Sequence, residues 1–315
     1  MTLTQLNAFV LVARLGSVRA AARALGVSEP AVSQALNALR RHLDDRLVEA
    51  GGPSGMTLTP GGSRLLTVAT HMVALGAEAE AAVRAARGGP EPLRLIATST
   101  IAEFVAVPLL DAFAGRSAVA VEASSGVAAG NEMAALVANR LADLALGPRL
   151  TAPAGVDLVS EPVMRCRMVV VGAAGGRAAR PSRDPWLVDP SGTDPDSDTG
   201  RLLTRLGVPE ARVRVYSNQT AAWDAAGDGA GVSPAPAHLV AHRVRRGDLA
   251  VVPTPVTPMD VRWHATTLGR NARPAVAGAL RRFLGTPDAM RVMCAPGAGL
   301  PPSHFRPPVY VTIWT

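Results

Sequence analysis

The chain has 315 residues, 48% of them hydrophobic, and a formal net charge of +7 carried entirely by arginine. That length and apolar content exclude a disordered chain and exceed one small domain, so two globular units and a connector are expected. Two cysteines, Cys166 and Cys294, exclude a disulfide framework; with no apolar run long enough to span a bilayer and no basic segment before an apolar one, a cytoplasmic protein without membrane contact is expected.

Thr2 and Gln5 stand at capping-box spacing ahead of Leu6, Phe9, Val10 and Ala13, which share one helical face. Ser17 predicts the N-cap of a second helix, Ala20 to Leu25 supply strong helix formers, and Gly26 ends it. Ser28 caps a third helix, whose first turn tolerates Pro30. Val32, Leu36, Leu39 and Leu43 then recur at spacings of four, three and four, one apolar stripe. The opposite face carries Glu29, Ser33, Gln34, Asn37, Arg40 and Arg41. Gln and Asn pair bidentately with adenine edges, and arginine suits phosphate or guanine.

Helix, Gly-containing turn and polar-faced helix make the helix-turn-helix plan; an ordinary αα-hairpin whose polar face meets only water is the alternative. The Thr2 helix supplies a third element to pack behind the pair. Arg46 to Glu49, a Gly/Pro turn at Gly51 to Gly55 and Met56 to Thr59 predict a β-hairpin wing. Ser33, Gln34 and Asn37 are the expected base readers, and Arg19, Arg23 and Arg40 the phosphate contacts. Ser17, Ser28, Glu29 and Pro30 complete the DNA-facing set. Charge adds little, since residues 1–60 hold six Arg (14, 19, 23, 40, 41, 46) against four acids (29, 44, 45, 49). DNA binding is therefore argued from motif geometry.

Thr4-Gln5-Leu6 with Phe9, Gly16-Ser17 with Ala21-Ala22 and Leu25, the run Val27 to Ser33, Leu36 with Leu39, and Leu58-Thr59-Pro60-Gly61 together resemble the LysR-type transcriptional regulators. The resemblance runs without a gap through this first domain. It implies an α+β winged helix-turn-helix at 1–60 that binds double-stranded promoter DNA, and a homodimer or homotetramer. Two departures stand out: Glu29 where the family usually has Gln, and Val48 and Ala50 where it has an aromatic residue and an Arg. They imply a different half-site preference and a looser hold of the wing on the backbone.

Pro60 to Ala86 is one continuous helical pattern, about 40 Å long at 1.5 Å per residue. It either lies on its own domain or pairs subunits; the resemblance implies pairing, and two-fold operator symmetry requires it. Gly88 to Pro92 stops it, so 61–91 is a linker and hinge. Beyond it strands and helices alternate: strands at Leu93–Ala97, Val119–Glu122, Leu144–Leu146, Arg167–Gly172, Trp186–Val188, Val213–Val215 and Met259–Thr267, helices after Thr98 and at 131–139, 199–206, 221–228 and 275–283. Repeated βαβ units predict a parallel, doubly wound sheet in two α/β lobes over 92–287, joined by two crossover strands with a ligand cleft between them. Ala142 to Leu146 and the Gly229-Ala230-Gly231-Val232 and Pro236 segment resemble the family's effector domain, whose fold is periplasmic-binding-protein-like.

Ser99 and Thr100 open a helix after a strand, where free N–H groups favour an anionic oxygen; Asn218 and Gln219 hold the equivalent place in the second lobe. Asn131 opens another helix and Gly147-Pro148 ends a strand on the same side. Each also suits simple capping. With four Trp, two Tyr and five Phe in the chain, a stacked aromatic box is not expected. Gly227 to Gly231 follows a helix rather than a strand, which fails the context of a dinucleotide loop. His238 and His242 stand four apart with no third ligand nearby, a solvated helix face. No cofactor, metal or catalytic constellation is expected. The tail, 288–315, is either an added edge strand or loosely ordered. The reading is a DNA-binding regulator controlled by a small-molecule effector; the rival is a cytoplasmic small-molecule-binding protein whose N-terminal helices serve only oligomerisation.

Overall fold

The computed structural model describes residues 1–50, 56–153, 155–175, 180–295 and 309–310. It divides into two compact units, one built on residues 1–89 and the other on residues 90–138 and 142 onward.

The first unit contains α1 (Leu3–Leu15), α2 (Val18–Leu25), α3 (Glu29–Leu43), β1 (Val48–Ala50), β2 (Met56–Leu58) and α4 (Pro60–Ala86). The capping box closes as its spacing predicts: the Gln5 N–H donates to Thr2 Oγ1 at 3.3 Å and the Thr2 N–H to Gln5 Oε1 at 2.9 Å. Gly16 and Gly26 adopt φ of 62° and 65°, the left-handed turn that ends each helix. Leu6, Phe9, Ala21, Ala22, Val32, Leu36 and Leu39 fill the core between the three helices. Leu43, the fourth member of the expected stripe, is 38% exposed, because the last turn of α3 projects beyond that core.

β1 and β2 pair antiparallel with Val48 opposite Leu58, and the turn at 51–55 lies outside the described residues. Asp45 ties the wing to α4. Its carboxylate accepts the Leu47 N–H at 2.7 Å and the Thr59 hydroxyl at 2.8 Å, and these bonds hold it below the usual carboxylate range. Gly62 permits the close approach of α4, since a Cβ there would stand 2.0 Å from the Leu47 carbonyl oxygen.

In the second unit, β3 (Glu91–Ala97), α5 (Ser99–Ile101), a π turn (Ala102–Ala106), α6 (Val107–Ala114), β4 (Val121–Val127), α7 (Gly130–Ala138) and β5 (Leu144–Gly147) begin one lobe. The long strand β6 (Leu158–Ala173) leads to a second lobe of β7 (Trp186–Val188), α8 (Asp198–Arg205), β8 (Val213–Val215), α9 (Gln219–Gly227), β9 (Ser233–Pro236), α10 (Ala237–Arg246) and β10 (Leu249–Val252). β11 (Met259–Leu268) returns to the first lobe, completed by α11 (Ala275–Leu284) and α12 (Pro287–Cys294). β11 pairs with β6 along its length and with β5 from His264 to Thr266, with a register break between Trp263 and His264.

Three expectations change. Among the described residues the parallel pairs are those of β3 with β4 and β5, of β7 with β8, and of β4 with a short strand of the tail. The strands that leave and re-enter the first lobe run in opposite directions, so β6, β9, β10 and β11 pair antiparallel. The strand expected at Val119–Glu122 lies instead at Val121–Val127, because pairing with β3 from Glu91 to Ala97 carries it through Ser124 and Gly126. The second unit runs past 287, since Ala289 and Met293 of α12 are buried in its core. Of the tail, Val309–Tyr310 forms a further strand, β12, parallel to β4 at the sheet edge.

Cys166 on β6 is buried, which pushes its thiol up to about 12 and keeps it protonated. His238 departs from the solvated-face expectation: its ring lies edge-on to Trp263 at 5.4 Å, and burial lowers its pKa to about 4. His242 is exposed, as expected.

Candidate nucleic-acid interface and effector cleft

In the first unit the Ser17 hydroxyl accepts the Ala20 N–H at 3.3 Å and the Ser28 hydroxyl accepts the Ala31 N–H at 3.4 Å. Both serines therefore cap the helices on either side of the Gly26 turn. Val32, Leu36 and Leu39 are 1%, 2% and 0% exposed, while Gln34 and Asn37 lie open and Ser33 is half-buried. The polar face of α3 is thus turned outward, as a helix entering a major groove requires. Arg19, Arg23, Glu29 and Pro30 are exposed beside it. Arg19 Nε stands 3.7 Å from Glu29 Oε1, a surface pair that leaves the guanidinium available to stronger anions.

Arg40 differs from the other arginines. It donates to the Arg46 carbonyl at 2.7 Å, to the Val48 carbonyl at 3.0 Å and to Asn37 Oδ1 at 3.3 Å. Its guanidinium is used within the chain as a strut between α3 and the wing. These bonds draw Arg40 away from the free phosphate contact expected of it, while Arg19 and Arg23 stay exposed.

In the second unit, the carboxyl end of β5 meets two helix starts. A Cβ on Gly147 would stand 3.1 Å from Thr98 Cγ2, and a Cβ on Gly130 would stand 3.2 Å from Pro148 Cγ. This brings Gly147 and Pro148 beside the helix starts of Ser99, Thr100 and Asn131, the last with its side chain outside the described residues. Thr98, not Ser99, is the N-cap of α5 and makes no side-chain cap bond. The Ser99 hydroxyl instead donates to Asp189 Oδ2. In the second lobe, Asn218 Oδ1 caps α9 by accepting the Ala221 N–H at 2.8 Å. The Gln219 side chain turns inward and donates to Ser233 Oγ at 3.4 Å and to the Pro234 carbonyl at 3.3 Å. The Gln219 backbone N–H donates to Glu103 Oε2 of the first lobe at 3.0 Å.

Comparison with known proteins settles the family. The profile of bacterial regulatory helix-turn-helix proteins of the LysR family matches residues 3–63, and the LysR substrate binding domain matches residues 86–286. The chain belongs to the LysR family. It is 33% identical over 325 residues, 100% of both chains, to the uncharacterized HTH-type transcriptional regulator Rv0377 of Mycobacterium tuberculosis. It is 27% identical over 298 residues, 90% of this chain and 91% of the other, to the HTH-type transcriptional regulator CfxR of Cupriavidus necator. The fold is similar to the crystal structure of CbnR, a LysR family transcriptional regulator (TM-score 0.62, 21% identity, 93% of this chain and 99% of that one). It is also similar to full-length CbnR complexed with its target DNA (TM-score 0.60, 22% identity, 93% and 100%).

As a LysR-type regulator, the chain joins a DNA-binding head to an effector-binding domain. Two residues of that domain escaped the sequence reading. Glu103 is the lone charge between Arg94 and Asp111, inside an apolar helix, and that isolation was a legible signal. Asp189 directly follows β7, at a strand end like that of Thr98 after β3, and it is buried. Both accept hydrogen bonds from the helix start of the opposite lobe.

Proposed function

We propose that α3 reads promoter DNA through Ser33, Gln34 and Asn37, with Arg19 and Arg23 holding phosphates and Arg40 holding the wing. The observation that carries this reading is the orientation of α3: its apolar stripe is buried and its amide side chains are open. Subunits pair through α4, where Val68, Met72, Leu75 and Val83 leave an exposed apolar stripe. The cleft beside Ser99, Thr100, Asn131, Gly147, Pro148 and the start of α9 receives the effector. A ligand that binds one lobe arrangement better than another shifts the population of the two, and the altered dimer changes the spacing of its heads. The regulator works in the cytoplasm and has no catalytic reaction of its own.

The test is a scan of single base-pair changes in the DNA bound upstream of its own gene. Replacing Gln34 by alanine is expected to weaken binding by about 1–3 kcal/mol and to relax preference at one base position. Equal weakening on every DNA would remove Gln34 from base readout.

A further inference from the structure

The anion position of the second lobe is already filled by the chain itself. Glu103 Oε2 accepts the Gln219 N–H at 3.0 Å, while Oε1 accepts the Thr220 N–H at 3.1 Å and the Thr220 hydroxyl. These are the free donors of the first turn of the nine-residue helix α9, at its positive end. Asp189 answers from the other side: it is 0% exposed and accepts the Ser99 hydroxyl and, at 2.6 Å, the Ser191 hydroxyl. Each lobe thus sends one carboxylate to the helix start of the other. Among the described residues neither carboxylate is paired with an arginine, so both are held by neutral donors and a helix end.

Local backbone geometry places Glu103 there. It lies in the π turn Ala102–Ala106, and Pro108 has no N–H to donate to the Phe104 carbonyl, so the helix widens at that point. The same turn presents Phe104, which stacks on Trp223 of α9 with centroids 5.0 Å apart and planes 16° from parallel. Glu103 is therefore seated by an aromatic contact next to it as well as by its own bonds.

We propose that Glu103 is a tethered internal ligand that occupies the carboxylate position at the start of α9 and sets the class of effector. A free acid must displace a carboxylate already held at high effective concentration, and the two charges cannot share one helix end. The effector accordingly offers the second lobe an amine, amide or hydroxyl rather than an acid. This rests on the interlobe cleft being the effector site.

The test melts the full-length wild type, Glu103→Ala and Glu103→Gln in sodium acetate and in sodium chloride of equal ionic strength. Each is also titrated in both salts onto the DNA upstream of its gene. The alanine variant is expected to melt roughly 4–8 °C below wild type. Acetate, but not chloride, should saturably restore at least half of that loss. Wild type and the glutamine variant, in which the position is still filled, should respond alike to both salts. If the alanine variant does not fold, Glu103→Ser leaves the same space and carries the same comparison. The proposal is overturned if acetate does no more than chloride for the variant, or if wild type gains as much. Rescue of melting without any change in DNA affinity sustains Glu103 as an internal ligand and removes the cleft from control of DNA binding. A shift in both sustains both.

Discussion

Replacing Phe9 by alanine is expected to unfold the DNA-binding head while the second unit stays intact. The ring is buried among Leu6, Ala21, Ala22, Leu36 and Leu39, where the three helices meet. Its truncation costs about 3–5 kcal/mol through lost burial and the cavity left behind. That is of the order of the whole stability of so small a unit. Calorimetry should show the transition of the head lost or moved far down in temperature, with the effector-domain transition unchanged. DNA binding should disappear with it. Phe9→Leu keeps most of the volume and should retain both. A fully folded alanine variant that still binds operator DNA would show that the three-helix block does not depend on this contact.

Replacing Asp143 by alanine should act on the other unit. The carboxylate is buried and accepts the Arg94 backbone N–H at 2.7 Å, Arg94 Nε at 3.1 Å and Arg94 Nη2 at 2.7 Å. It thereby locks β3 to the start of β5, in the Ala142 to Leu146 segment that resembles the family's effector domain. Removing it strands a backbone donor and a guanidinium, of which the latter is partly open to water. Discounted for that exposure, the expected loss is about 2–3 kcal/mol, roughly 4–10 °C in the melting of the effector domain. Asp143→Asn keeps an acceptor for the Arg94 N–H and should lose less. An unchanged melting temperature in the alanine variant would mean that water replaces the carboxylate without penalty.

The head was legible in the sequence because its determinants are local. Thr2, Ser17 and Ser28 act on donors three residues away, and Gly16 and Gly26 on their own φ angles. A period of 3.6 residues separates the buried Val32 and Leu36 from the open Gln34 and Asn37. The bounds of α4 follow from Pro60 and from the glycines beyond Ala86. What escaped is what distance decides. Arg40 looks like a free cation in the sequence, yet the Arg46 and Val48 carbonyls draw it onto the wing. Ser99 and Gln219 both stand at helix starts, yet partners 90 and 14 residues away claim their side chains. β9 reads as Ser-Pro-Ala-Pro, a poor strand by composition, and forms because β6 offers it a pairing edge. The helix after Gly285 did carry a local signal, Thr286 before Pro287, with the Ala289 N–H donating to the Thr286 hydroxyl at 3.3 Å.

Methylation protection on the DNA upstream of the gene tests the open face of α3 most directly, because dimethyl sulfate reports guanine N7 in the major groove. Two protected half-sites separated by whole helical turns are predicted, with protection altered locally in Gln34→Ala and Asn37→Ala. Tight binding without major-groove protection, or a pattern identical in wild type and both variants, would contradict the assignment of α3 as the reading element.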